Sequence, residues 1–323
     1  MEIVKEIKDQ ETRLPFVGHK DYLNSIEGAI DNGYVVDGSK VLPYSVKKRA
    51  IFKSVQLPCL PQGCMPNNEK EFVNKAVTQI CKTVNPDYIY TTATSVFDEY
   101  CDKSVYCHFG SYIISLTLSE EEIFGNFHTK HRNVVRKAEK DGLTVDCGPQ
   151  YAEACYEIIK DTYGRQGKSA FSREHFEQLK AMSDHVDFWV VKNGEEYQGC
   201  AVLLWNKGFS SYYLHGGSSA HPHGGALNLL HWEAIKKMKE RGVLFYDFVG
   251  ARTNPEPGSK LEGIQRFKSR FGGEMKVGYM WRFVNHPLKY RLYVLAVKMY
   301  TKYVLKDDNY YDIIDDERAK GNY

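Results

Sequence analysis

The chain has 323 residues, 42% hydrophobic and 26% charged, with a formal net charge of +2. That length fits two domains or one elaborated domain, and the composition supplies a sizeable core. The near-neutral charge excludes a general polyelectrolyte attraction to nucleic acid or membrane, so any such contact must come from local clusters.

Residues 1–118 read as short apolar strands at Tyr34–Val36, Ala50–Leu57, Tyr88–Thr92, Tyr106–Phe109 and Tyr112–Leu118, with helical stretches at Ile26–Ile30 and Glu69–Thr83. A Pro-rich loop, LPCLPQGCMP, spans 57–66. Lys47, Lys48 and Arg49 form a basic knot that either is a solvated turn or meets phosphate.

Ser119 and Glu122 have capping-box spacing, which predicts a helix from there to about Asp141. Its apolar side carries Phe124, Phe127, His131, Val134, Val135 and Ala138. Arg132, Arg136 and Lys137, with Lys130 and Lys140, make it strongly basic: either a solvated face or a positive wall for phosphate or RNA.

From Gly142 the order is clear. A strand at Leu143–Cys147 precedes helices at about 151–163 and 172–182, joined by a linker with Tyr163, Arg165 and Lys168. Strands at Val186–Lys192, Gln198–Trp205 and Phe209–His215 form a meander across NGEE and NKG turns. Helix 225–241 follows, packing through Leu227, Leu230, Ala234, Ile235 and Met238.

Val243–Val249 is apolar except for Asp247 and reads as a strand buried on both faces. Ser259 and Glu262 then predict a capped helix ending at Gly272 and Gly273. Helical spacing puts Leu261, Ile264, Phe267 and Phe271 on one stripe. Lys268 falls on that stripe, so it either snorkels or meets something anionic. A last strand at about Lys276–Val284 gives the order β-α-α-β-β-β-α-β-α-β. This is a mixed sheet with helices on both faces, the order of a GNAT acyltransferase fold. The stretch after Pro287, to about Lys306, reads as a helix of interleaved basic and apolar residues that docks on the body or lies on an anionic membrane. The acidic tail beyond it reads as flexible.

Eight cysteines lack zinc-site spacing and read as free thiols. The charged first residues have no apolar signal core, and no apolar run is long enough to span a bilayer. The chain reads as cytoplasmic, with membrane-surface association through 287–306 as an added expectation.

Four pieces carry a family resemblance: HRNVVRKAEKDGLTV at 131–145, SYYLHGG at 211–217, the helix HWEAIKKMKERGV, and YDFVG…GIQRFKSRFGG at 246–273. The sequence resembles the FemABX-like family of peptidoglycan bridge-forming aminoacyltransferases, best over about 110–285. The resemblance implies two GNAT-like domains in tandem, the second better supported, with expected boundaries 1–118, 119–286 and 287–323. It implies transfer of an aminoacyl or acyl group to an amine of a peptidoglycan precursor, with aminoacyl-tRNA as donor and neither metal nor cofactor.

The family's Phe-Lys pair maps to Phe267 and Lys268, with Lys268 supporting transfer. An ammonium beside the reacting ester would stabilise the oxyanion of aminolysis. Asp247 is a base candidate by position, or a structural acceptor. Arg165, Lys168, Tyr213 and His215 are candidate substrate contacts, and Arg132, Arg136 and Lys137 candidate tRNA or phosphate contacts. His221 to Ala226 occupies the place of the CoA pyrophosphate loop, but His221 replaces the usual Gln or Arg and Pro222 removes an N–H donor. Acetyl-CoA is therefore the less favoured donor. An acyl-CoA-dependent GNAT enzyme and a non-catalytic nucleotide-sugar- or RNA-binding protein remain the alternatives.

Overall fold

The structure is a computed structural model that describes residues 1–7, 13–65, 68–167, 170–303 and 312–323. It divides into two compact units. The first comprises Met1–Gly110, Gly250–Pro255 and Lys276–Tyr323, and the second Ser111–Val249 and Glu256–Met275. This differs from the expected boundaries at 118 and 286. The chain re-enters the first unit briefly after Val249 and for good at Lys276, because its last long strand pairs there.

In chain order the elements begin with β1 (Glu2–Val4), α1 (Lys20–Ser25), β2 (Ala29–Asp37), β3 (Lys40–Arg49), β4 (Phe52–Leu57), α2 (Glu69–Val84), β5 (Tyr88–Thr91) and β6 (Val105–Ser115). Next come α3 (Glu120–Asn126), α4 (Thr129–Lys140), β7 (Thr144–Cys147), α5 (Ala152–Gly164), α6 (Arg173–Ala181), β8 (Val186–Asn193), β9 (Glu196–Trp205) and β10 (Ser210–Ser218). The chain finishes with α7 (Ala226–Glu240), β11 (Phe245–Asp247), β12 (Ala251–Arg252), α8 (Lys260–Ser269), β13 (Glu274–Val284), α9 (Pro287–Tyr303) and α10 (Ile313–Ala319).

In the first unit, β1 to β4 are antiparallel neighbours, β4 and β5 are parallel across α2, and β13 runs antiparallel to β5. Phe72, Val73, Ala76, Val77 and Ile80 put one face of α2 into the core, at the spacing a helix needs to bury a stripe. Asn85, left-handed at φ 50°, stops α2 just before Pro86. From Asp312 on, the acidic tail is not the loose end expected. Glu317 on α10 is fully buried and meets Arg252 at 2.7 Å, while Arg282 is held by Asp312 and Asp315 at 2.7 and 2.8 Å. Buried guanidinium groups need such partners, and the tail supplies them.

In the second unit, β8, β9 and β10 form the expected meander, and β7 lies antiparallel to β8. β11 then joins parallel to β10 across α7, and β6 lies antiparallel on the other side of β11. Leu229, Leu230, Ala234, Ile235 and Met238 of α7 fill the core against Trp189, Val191, Ala201 and Leu203. From β7 to α8 the order matches the sequence expectation apart from the two-residue β12, but the last expected strand, β13, pairs in the first unit.

Several local readings are corrected. Tyr106–Phe109 and Tyr112–Leu118 are one strand, β6. Ile26–Ile30 is not helical, and the short helix lies earlier, at α1. The helix expected over 119–141 is two helices. The Ser119–Glu122 capping box forms, but Phe127 and His128 are extended, and the His128 ring caps α4 by accepting from the Lys130 N–H. The run 243–249 is a strand only over Phe245–Asp247, and Leu244 and Phe245 are exposed. All eight cysteines are free thiols.

Candidate active site

The chain turns sharply where β11 ends. Val249 sits at φ 48°, a left-handed conformation that a β-branched residue adopts only under constraint, and Gly250 follows at φ 70°. Three contacts around Val249 define the constraint. Its N–H donates to Asp247 Oδ1 at 2.7 Å, the preceding Phe248 N–H donates to the Tyr112 carbonyl at 3.0 Å, and its carbonyl accepts from Lys268 Nζ at 2.5 Å. Asp247 also accepts from the Ser111 hydroxyl of β6.

Lys268 comes from α8, whose start is set by Ser259 accepting from the Glu262 N–H. Glu262 reaches back to the Gly258 N–H, one residue before the position a full capping box uses. The buried face of α8 keeps part of the expected stripe, with Phe271 just past its end fully buried and Phe267 packed against the core, but it also takes in polar residues. Gln265 and Lys268 are buried, Phe267 is half-buried and Ile264 is exposed. Two polar residues thus share the inward side of the helix with Phe267, while Ile264 is left outside. Gly272, at φ 73°, lets the chain pass against the Asn126 carbonyl, where a Cβ would collide with backbone. The glycine pair therefore fixes the packing of α8 as well as its end.

Lys268 is 8% exposed, and burial pushes its ammonium down to about 8, an effect partly opposed by the Asp247 charge. Phe267 packs its ring on His131, His231 and Phe271, with centroids 5.5, 5.7 and 5.1 Å away.

His231 escaped the sequence reading. It is fully buried on α7 and its Nδ1 lies 2.7 Å from the Tyr246 hydroxyl. Burial, with the positive charge of Lys268 next, lowers its pKa to about 3, so the ring is neutral at ordinary pH. Among the described residues its Nε2 has no hydrogen-bond partner. Helical spacing from Leu227 to Ala234 and Met238 already placed position 231 on the inward face. The signal was present but weighted toward the aliphatic residues.

The structure separates the proposed substrate contacts. Tyr213 lies on β10 with its ring 4.8 Å from His231, near Lys268's surroundings. A bulge between Tyr213 and His215 breaks the strand alternation, so His215 turns instead to α6. There its Nε2 is 3.3 Å from His175 Nε2 and its ring lies tilted against Phe171 with centroids 4.1 Å apart, while burial, then His175, pushes its pKa down to about 3. Arg165 is exposed and donates to the Ser218 carbonyl and the Thr162 hydroxyl, holding the end of β10. Lys168 lies outside the described residues.

On α4, Arg132 donates to the Gly125 and Phe127 carbonyls and so closes the end of α3. Arg136 sits over the Phe124 ring at 5.4 Å, and Lys137 is exposed on the last turn. In the loop before α7, the Gly225 N–H donates to the His223 ring and the Ala226 N–H to the His223 carbonyl, while the ring also meets Asp141 at 3.0 Å. Two donors that a pyrophosphate would need are thus committed within the chain. Among the described residues no group of three His, Cys, Asp or Glu side chains could hold a metal ion.

Residues 125–269, which hold Lys268, Asp247 and His231, match the family model described as Acetyltransferase (GNAT) domain. The fold is similar to that of FemX, with 16% sequence identity, a TM-score of 0.69, and coverage of 90% of this chain and 99% of that one. The fold also matches L-PGS from Bacillus licheniformis, at 14% identity, TM-score 0.57, 91% of this chain and 96% of the other. A third match is the C-terminal domain (DUF2156) of an Agrobacterium fabrum protein assigned as a lysylphosphatidylglycerol synthetase. It has 13% identity and a TM-score of 0.58, and covers 90% of this chain and 96% of that domain. No curated protein sequence matches the chain. The FemABX-like resemblance thus holds at the level of the fold across most of the chain.

Proposed function

We propose that the chain is an aminoacyltransferase that moves an aminoacyl or acyl group onto an amine of a cell-envelope substrate, with a peptidoglycan precursor as acceptor and aminoacyl-tRNA as donor. The observation that carries this reading is the buried Lys268 ammonium, pinned to the strained Val249 carbonyl beside Asp247. The names of the matched proteins, FemX and lysylphosphatidylglycerol synthetase, support the substrate class.

In the reaction the acceptor nitrogen attacks the ester carbonyl of the donor. A C–N bond forms, the carbonyl oxygen becomes an oxyanion, and collapse breaks the ester C–O bond. The proton lost by the amine ends on the departing hydroxyl. Lys268 supplies positive charge where the oxyanion develops, in surroundings where burial strengthens its effect. Asp247 fixes the Val249 turn and raises the share of Lys268 that stays protonated. Tyr213 contacts substrate from β10. Arg136 and Lys137 offer charge for the tRNA backbone, whereas Arg132 serves the joint between α3 and α4.

Membrane-surface contact belongs to the same reading. Leu288, Leu292, Leu295 and Met299 of α9 are exposed in one stripe, and the helix carries Lys and Arg but no acid. Such a face suits an anionic lipid surface. Residues 304–306 of that stretch lie outside the described residues.

The test is direct assay of the purified chain with charged tRNAs and a UDP-linked muropeptide, following label into the peptide by mass spectrometry. Transfer is expected, and its absence across all charged tRNAs sinks the donor assignment. Acetyl-CoA is the control. Stabilisation against heat by low micromolar acetyl-CoA, with acetyl transfer, would instead favour the acyl-CoA reading that the family model's name supports.

A further inference from the structure

The first unit holds a cavity of about 400 Å³ that the transfer chemistry does not use. Its walls include Lys47, Lys48, Arg49, Tyr88, Tyr90 and Tyr293. The sequence explains how they converge. β3 and β4 are joined by a tight hairpin in which Arg49 pairs with Phe52 and Lys47 with Ser54. Residues two apart on a strand share a face, so Lys47 and Arg49 point the same way. β5 continues that surface, since Ser54 pairs with Tyr88 and Gln56 with Tyr90. α9 then closes it, setting the Tyr293 ring 5.3 Å from Phe52 and 5.4 Å from Tyr88.

The charges in this cavity are not balanced from within. Among the described residues none of Lys47, Lys48 and Arg49 forms an ion pair. Glu27 at the rim acts on Lys47 only at longer range. A neighbouring cavity of about 380 Å³ shares Tyr88, Tyr90 and Tyr293 and gives the contrast. Its cation, Arg282, is paired through its two terminal nitrogens with Asp312 and Asp315. The same fold thus neutralises one buried cation with its own tail, and beside it leaves Lys47 and Arg49 on one face, with the exposed Lys48 at the rim, without an acidic ion-pair partner among the described residues. Gathering like charges costs free energy that a bound anion returns.

We propose that this cavity binds a phosphate ester, with Lys47, Lys48 and Arg49 holding the phosphate and the rings of Tyr88, Tyr90 and Tyr293 packing the organic part. The phosphate has two sources of the same chemistry: the headgroup of a phospholipid, or a nucleotide. Burial already lowers the Lys47 pKa, the state that an arriving dianion would reverse. The proposal stands apart from the acyl-transfer reading, because no residue of the Lys268 site takes part in it.

The experiment is calorimetric titration of the full chain with three probes: inorganic pyrophosphate, glycerol 3-phosphate and uridine diphosphate. The wild type should bind at least one of them, and the Lys47→Ala/Arg49→Ala variant should lose about tenfold or more in affinity. Glycerol 3-phosphate bound more tightly than uridine diphosphate assigns a lipid source, and the reverse order a nucleotide. Circular dichroism and thermal melting check that the variant folds. Tyr293→Leu, which touches no charge, should weaken the two organic probes and leave pyrophosphate unchanged. No binding of any probe to the wild type, or binding that the double variant retains, overturns the proposal. Because transfer is not the readout, its outcome is independent of the donor assay above.

Discussion

Lys268 donates its ammonium to the carbonyl of Val249, a β-branched residue held at φ 48°. Each end of this contact is costly alone. A buried ammonium is poorly solvated, and a left-handed valine is strained by on the order of 1–3 kcal/mol. Together they are mutually supportive: the turn aims a carbonyl at the lysine, and the lysine fixes the turn. Local cost concentrated at one point of a well-packed unit is the pattern of a site shaped for chemistry.

Lys268→Met tests the chemistry separately from the fold. If the ammonium stabilises an oxyanion, turnover should fall by about 10²-fold or more, while the melting temperature holds or rises because no buried charge remains. Steady-state assay and calorimetric melting on the same preparation decide it. Unchanged turnover removes Lys268 from the mechanism.

Asp247→Asn keeps the shape and changes the charge. Asn can still accept from Ser111 and the Val249 N–H, but the carboxylate that raises the Lys268 pKa is gone. The pKa of Lys268 should then fall below about 8. Since the protonated form is the working one, the alkaline limb of the rate profile should move to lower pH. A limb that stays in place means that Asp247 does not set the charge of Lys268.

The elements that place this site were legible because they are punctuated: Ser119, Ser259, Pro287 and the turns between β8, β9 and β10 mark their own ends. The strand–loop–helix from 243 to 273 was found with Asp247 and Lys268 in it. What the sequence hid is what depends on partners far along the chain. The burial of Lys268 follows from where it finds Val249, and Ile264 is left exposed although the apolar pattern places it on the same stripe. The bulge that parts Tyr213 from His215 has no local marker. The order of the tail is set by Arg252 and Arg282, which a local reading of an acidic stretch does not include.

Gly225→Ala probes the packing beneath the site. A Cβ there would press on the backbone carbonyl of Val134, and backbone moves less readily than a side-chain tip. Overpacking of this kind costs about 1–3 kcal/mol, so the midpoint of denaturant unfolding should fall with little change in slope. Gly224→Ala, where a Cβ meets nothing within 4 Å, is the matched control.

Leu292→Glu/Leu295→Glu addresses α9. Both side chains are more than half exposed, so the fold should tolerate the change. If the stripe rests on lipid, sedimentation with phosphatidylglycerol vesicles should drop by about tenfold or more. Equal sedimentation of variant and wild type, or none by the wild type, rules out α9 as the contact.

The last test uses linkage at Lys268. Its folded pKa is about 8 and the ordinary lysine value is 10.5. Between these limits the unfolded chain holds the proton and the folded one does not, so stability must rise as pH increases through that window. A difference of this size corresponds to on the order of 3 kcal/mol. Below pH 8 both states are protonated and the full cost of the buried charge is present; above 10.5 it is gone. Other lysines and tyrosines titrate in the same range, so the informative quantity is the difference between wild type and Lys268→Met. That difference should favour the variant most near pH 7 and shrink toward pH 10.5 when unfolding is followed in denaturant. A difference independent of pH would show that Lys268 is solvated in the folded protein, and the electrostatic role assigned to it would go with that result.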